Sequence, residues 1–196
     1  YEQKTRTALI RLLSAAGIDA SVPEAQVCCG QAALHAGRSA EAIRLSEHNR
    51  HALRDFERLL VLASGCLGAL QDQIGIPVID AGVFLAQHAG KLRFQSAAGL
   101  RVAVHTPCSA AFNGGQAAVL ELLDLIPDLE VYALADAGCC GAAGLHQIAR
   151  PGRADLLRAP VLEAVETLRV DVLLSANIGC RLHLANGTSV PVRHPL

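Results

Sequence analysis

The sequence predicts an α/β protein built as two pseudo-symmetric halves, each with a mostly parallel sheet flanked by helices. Three observations carry that prediction. Short Val-, Ile- and Leu-rich runs alternate with longer segments of helical periodicity, the pattern of strands joined by crossover helices. Two stretches, "PEAQVCCGQAALHAG" beginning at Pro23 and "LADAGCCGAAGLHQI" beginning at Leu134, each carry Cys-Cys-Gly with a histidine six residues past the second cysteine. The offset that carries Cys28 onto Cys139 also carries His35 onto His146, Leu9 onto Leu120 and Leu12 onto Leu123. A slightly larger offset carries "LLVLASGC", ending at Cys66, onto "VLLSANIGC", ending at Cys180. The chain therefore reads as a duplication, with halves at 1–96 and 97–196.

In the first half, residues 7–16 place apolar side chains at helical spacing and stop at Gly17. "IDASV" (18–22) then reads as a short strand before the first triplet. Ser39 stands as an N-cap with Glu41 nearby, opening an amphipathic helix that runs to about residue 60 with Glu47, Arg50 and Arg54 on its exposed face. "LLVLAS" (59–64) follows as a buried strand that delivers Gly65-Cys66. "LRVAVHT" (100–106) is a further strand, ending at Pro107-Cys108. The second half repeats the order: helix "AVLELLDLI" (118–126), strand "LEVYAL" (129–134), a helix over 161–168, and strand "DVLLSA" (171–176) leading to Gly179-Cys180. Loops beyond the carboxyl ends of parallel strands share one rim, so cysteines there converge.

Composition narrows the function. With 196 residues, 52% of them apolar, the chain has material for a substantial core. A formal charge of −1 and the lack of any basic run argue against a nucleic-acid partner. The apolar stretch from Leu59 to Leu70 is too short for a transmembrane segment and is punctuated by Ser64-Gly65-Cys66, and no secretory signal is evident, so a cytoplasmic setting is expected. Methionine is absent, so Tyr1 reads as an internal position of a longer chain. Seven cysteines, an odd number, in a chain too large to need staples point to reduced thiols that bind metal. No phosphate-binding glycine loop, nucleophile elbow or carboxylate pair supports a hydrolase.

Cys108, Cys139, Cys140 and Cys180 each follow a predicted strand and supply four thiolates, enough for one iron–sulfur cluster or one zinc ion. Adjacent cysteines point in divergent directions, which suits two atoms of a multi-iron core better than one tetrahedral ion. A disulfide between neighbours would be strained. The glycine after each pair is expected to permit positive φ and to let backbone lie against the inorganic core, and Gly65 and Gly179 to do the same before Cys66 and Cys180. The counterpart of Cys108 in the first half falls about three positions before Tyr1, so Cys28, Cys29 and Cys66 are expected to form a second site with an upstream cysteine. His35, His146 and His183 are candidates to support the site from behind the sulfurs. His183 stands where a C-x-x-C would place a cysteine, whereas its counterpart is Ala69. His105 is expected to shape the turn into Cys108.

"CCG" twice, "HTPC" before the second copy, and "ASGC" and "SANIGC" closing the halves resemble the duplicated cysteine-rich (CCG) domain found in a subunit of heterodisulfide reductase. The "SGC" and "ANIGC…HLA" forms, with "VRHP" near the end, are most similar to the iron–sulfur subunit of glycolate oxidase, then to lactate-utilisation iron–sulfur proteins. The resemblance implies a [4Fe–4S] electron-transfer subunit of a glycolate or similar 2-hydroxy-acid oxidase. An FAD-containing partner subunit would oxidise the substrate, with a further electron-transfer subunit beside it and no catalytic residue on this chain. Such a complex could sit at the inner membrane peripherally. Heterodisulfide reductase closes its sites with C-x-x-C; here C-x-x-A and C-x-x-H leave four thiolates per complete site. Three other readings stay open: a zinc-stabilised scaffold without redox function, a CCG subunit of a lactate dehydrogenase or heterodisulfide reductase-like complex, and thiol redox catalysis by the Cys-Cys pairs.

Overall fold

Branched and leucine-rich strands pair here into two parallel sheets, and the helices that connect them cover both faces. The structure, a computed structural model, describes residues 2–111 and 113–196. In chain order the elements are α1 (Gln3–Ala15), α2 (Gln31–His35), α3 (Ser39–Leu53), β1 (Leu59–Val61), α4 (Ser64–Gln73), β2 (Val78–Asp80) and α5 (Ala81–Ala86). There follow β3 (Arg101–Val104), α6 (Gly115–Asp124), β4 (Glu130–Ala133), α7 (His146–Ala149), α8 (Pro151–Leu168), β5 (Val172–Leu174), α9 (Ile178–Ala185) and β6 (Val192–Arg193). One sheet has the order β4-β3-β5-β6 and the other is β1-β2, with every pairing parallel. No helix among the described residues is long and apolar enough to cross a membrane.

Strand alternation builds the second half's core. Val102, Val104 and Leu174 point to one face and pack with Val119 and Leu123 of α6. Ala103 and Leu173 point to the other and meet Val161 and Val165 of α8, together with Cys140, Cys180 and Leu184. Two ligand candidates are thus part of that core. In the first half Leu9 and Leu13 of α1 pack on Phe84 and Leu85 of α5, and Leu122 of α6 joins them. The halves therefore share buried surface.

The duplication is visible in the backbone bonds. Leu59 N–H donates to the Pro77 carbonyl at 2.8 Å, and Leu173 N–H donates to the Pro191 carbonyl at 2.9 Å. β1 and β2 thus reproduce β5 and β6. Beyond β5 the second sheet continues through β3 to β4, but among the described residues nothing continues the first sheet beyond β1. A cavity of about 770 Å³ lies there, lined by residues 18–23 on one side and 59–63 on the other.

That gap explains the main departure from the sequence expectation. Residues 18–22 form no strand, whereas their counterpart is β4. β4 is a strand because β3 pairs with it in register from Arg101 opposite Glu130; residues 18–22 have no equivalent of β3 to pair with among the described residues. Three smaller corrections are local. α3 stops at Leu53, well short of residue 60, and Ser39 is its first helical residue with no side-chain cap bond. α8 starts at Pro151, ten residues before the expected helix, because Pro160 inside it broke the apparent periodicity. β1 and β5 are shorter than expected because the chain turns into α4 and α9 directly.

Leu173 is wholly buried between β3 and α8. Leu173→Ala should lower unfolding free energy by about 2–5 kcal/mol, read from the urea midpoint; a loss under ~1 kcal/mol would contradict this packing.

Candidate metal centre

The first Cys-Cys-Gly triplet follows an irregular stretch and the second a single 3-10 turn over Ala135–Ala137, and each turns one sulfur outward and one inward. Cys28 and Cys139 are exposed, whereas Cys29 and Cys140 are buried. The glycine behind each pair takes φ near 82° in both copies, a conformation a side chain disfavours. A Cβ there would lie 3.3 Å from the Ala42 carbonyl oxygen of α3, or 2.5 Å from that of Ala154 in α8. Gly30 and Gly141 therefore take the positive φ expected of them and turn tightly against a helix backbone. Gly65 is likewise confined by a protein group: a Cβ would come within 2.5 Å of Asn177 Nδ2. At Gly179 a Cβ would meet Asn177 Oδ1 at 3.3 Å.

Cys66 and Cys180 come from the third position of α4 and α9 rather than from strand ends. Their sulfurs stand in the first helical turn, where unpaired N–H groups and the helix dipole favour negative charge. Asn177 caps α9, its Oδ1 accepting the Gly179 N–H at 2.8 Å.

These loops bring the sulfurs together in two groups. In the first, a contact from the Cys66 thiol lowers Cys29 to about 6 against the opposing effect of burial. The same contact, then burial, pushes Cys66 up, with the charges of Cys29 and Cys28 adding to it. In the second, Cys180 lowers Cys140 to about 7 in the same way. Cys180 is raised by Cys140 first, then by burial and by the charges of Cys140, Cys108 and Cys139. Burial raises Cys139, whose sulfur accepts the Gly141 N–H at 3.4 Å and neighbours Cys108. The fold thus gathers all four second-half thiols, and Cys28, Cys29 and Cys66 of the first half, into two electrostatically linked sets. Among the described residues no three Cys, His, Asp or Glu side chains are placed to hold a single metal ion.

The cysteine-rich (CCG) domain family matches this chain twice, over residues 2–71 and 102–185. The chain belongs to that family. Among similar proteins, a subunit of the fumarate reductase (CoM/CoB) of Methanothermobacter marburgensis is 30% identical over 186 residues, covering 90% of this chain and 37% of its own length. The glycolate oxidase iron-sulfur subunit of Escherichia coli is 26% identical over 219 residues, covering 97% of this chain and 52% of its own. Lactate utilization protein A of Anoxybacillus flavithermus is 28% identical over 198 residues, covering 90% and 82%. The chain spans 37% and 52% of the lengths of the first two of these relatives. Both glycolate oxidase and lactate utilisation, anticipated from the motifs, are thus represented among the CCG relatives.

Within this CCG chain the expected histidines play unlike parts. His146 Nδ1–H donates to the Gly141 carbonyl at 2.9 Å and so braces the second triplet's turn. His183 is buried on α9 and its Nε2–H donates to the Ala154 carbonyl at 3.2 Å, holding α9 against α8. His35 accepts from Gln31 Nε2 at 2.8 Å and lies against Gly144 of the other half. His105 is buried, its Nδ1 bonded to Ser175 Oγ at 3.1 Å; burial lowers it to about 4, so it is neutral.

Several contributors were not singled out from the sequence. Ser64, Ser109 and Asn177 join loops of both sites through their side chains. Arg181, directly after Cys180, pairs with Glu2 at 2.5 Å, and Glu2 in turn adds to the field at Cys66. The "NIGC" run carries a readable signal for Asn177, an Asn two residues before a glycine at a helix start. Nothing local marks the others, which act across long sequence separations.

In the metal-free reduced protein, the sign of the pH dependence follows from these shifts. Cys29 and Cys140 titrate below the ordinary value of 9.0, so the stability they contribute is complete above that value and is lost as pH falls through about 7 and 6. Cys66 and Cys180 are raised, so theirs is complete below 9.0 and lost above it. The urea midpoint should therefore climb from pH 6 to about 9 and then fall, and Cys29→Ser with Cys140→Ser should flatten the climb; an unchanged climb in that double variant would contradict the assignment.

Proposed function

We propose that this chain is the iron–sulfur portion of an electron-transfer subunit serving an oxidoreductase. In this reading Cys108, Cys139, Cys140 and Cys180 ligate one [4Fe–4S] cluster, and Cys28, Cys29 and Cys66 contribute to another. The single observation that supports it is that three turns, carrying Cys108, the Cys139–Cys140 pair and Cys180, bring four thiols within electrostatic reach of one another, with Cys140 and Cys180 packed in one buried cluster. Soft thiolates suit iron–sulfur cores, and a core of several irons accepts sulfurs spread over more directions than one ion does. The adjacent sulfurs of Cys139 and Cys140, one exposed and one buried, favour such a core over zinc.

The chain's own groups would then hold and tune it. Cys66 and Cys180 would present their sulfurs from the first turns of α4 and α9, and the Gly141 N–H on Cys139 stabilises charge on sulfur. A cluster, when bound, supplies one-electron transfer. Exposed Cys28, Cys108 and Cys139 would put each site near the surface, within reach of a redox partner. We take the units to be residues 1–96 and 97–196. The first site would be completed by a cysteine from a strand seated in the cavity beside β1, as β3 leads to Cys108.

By analogy with the relatives, the reading extends to a flavoprotein partner carrying FAD that oxidises glycolate or a related 2-hydroxy acid. Substrate chemistry then belongs to that partner.

Anaerobic reconstitution with iron and sulfide should give a brown protein with acid-labile sulfide and an EPR signal on reduction. Cys180→Ser and Cys140→Ser should each remove the second site's share of iron. Stoichiometric zinc with no labile sulfide would overturn the reading.

A further inference from the structure

Three turns that carry ligand candidates are tied together across the two halves. Ser64, two residues before Cys66, is buried, and its Oγ lies 2.8 Å from Oγ of Ser109, the residue after Cys108. Ser109 Oγ also accepts from Asn177 Nδ2 at 3.2 Å, and Asn177 caps the helix that carries Cys180. Ser64 N–H donates to the Ala176 carbonyl at 3.3 Å, and Gly65 leaves the space that the Asn177 amide fills. The duplication did not copy this arrangement: the positions that match Ser64 and Asn177 in the opposite halves are Ile178 and Ala63. It is a cross-link between the halves rather than a feature present in both copies.

We propose that Ser64, through Ser109 and Asn177, is a positioning residue for the second site, so that the first half sets the geometry around Cys108 and Cys180. The mechanism is one of restraint. Cys108 is exposed and sits in a turn with no regular pairing of its own. Its neighbour Ser109 makes side-chain bonds only to Ser64 and Asn177 among the described residues. Removing the Ser64 hydroxyl leaves Ser109 a single amide donor and frees the Cys108 turn from the first half. Groups behind the ligands, which fix their orientation, affect retention and potential of a metal site even when they never touch it. A second contact runs parallel: the His35 ring of the first half fills the space over Gly144, where a Cβ would lie 2.5 Å from His35 Nδ1. Each of the second site's three loops is thereby touched by the first half or by a residue bonded to it.

This inference rests on the cluster reading above, and the test separates the two. The parent is a Cys29→Ser variant, reconstituted anaerobically, in which any intact cluster belongs to the second site. Ser64→Ala in that background should alter the EPR g values and shift the midpoint potential. Iron loss to a chelator should be roughly 10–100-fold faster. Ser64→Thr, which keeps the hydroxyl, should restore all three. The thermal unfolding of the metal-free proteins controls for a merely structural effect. An Ala variant with parental spectrum, potential and iron retention overturns the positioning role while leaving the cluster reading intact. A parent that takes up no iron and sulfide overturns both.

Discussion

A buried sulfur facing a helix-start sulfur, Cys29 with Cys66 and Cys140 with Cys180, is the constraint on which the rest of the structure depends. To bring them together the chain must end a strand, turn into a helix within a few residues, and press the preceding triplet against that helix start. The glycines of the triplets take their left-handed turn because α3 or α8 lies directly behind them. Parallel pairing of β3 with β5 then puts Cys108 on the same rim as Cys180. Sheet order, helix placement and sulfur convergence are therefore one geometric requirement.

That requirement leaves the two sites unequal. Among the described residues the second half has a four-stranded sheet and four thiols, while the first has two strands, three thiols and a cavity where a strand stands in the other copy. The halves also lean on each other through the α5 and α6 helices, the Glu2–Arg181 ion pair and the hydroxyl–amide bonds around Ser109. Arg181 is buried beside a candidate ligand, and its pairing with Glu2 keeps that charge compensated.

What the sequence made legible was whatever duplication wrote twice. Cys28, Cys29, Cys66 and their counterparts could be aligned, and β3, β4 and β5 announced themselves by apolar runs. Residues 18–22 misled because strand formation depends on a neighbour, and a strand pattern without its partner stays unpaired. The start of α8 was hidden by Pro160, which is tolerated within the helix. The positive φ of Gly30 and Gly141 was legible, but the crowding by Ala42 and Ala154 was not, since those residues meet them only after folding. His35 and His146 were recognised as a pair, yet His146 braces its own turn and His35 reaches across to Gly144.

The central claim is that four sulfurs from three distant turns enclose one polynuclear core. Iron-edge anomalous diffraction from crystals of the anaerobically reconstituted protein tests it most directly. The account predicts a multi-iron density feature enclosed by the sulfurs of Cys108, Cys139, Cys140 and Cys180. A single-ion peak there, or iron bound elsewhere with these four sulfurs free, would contradict it.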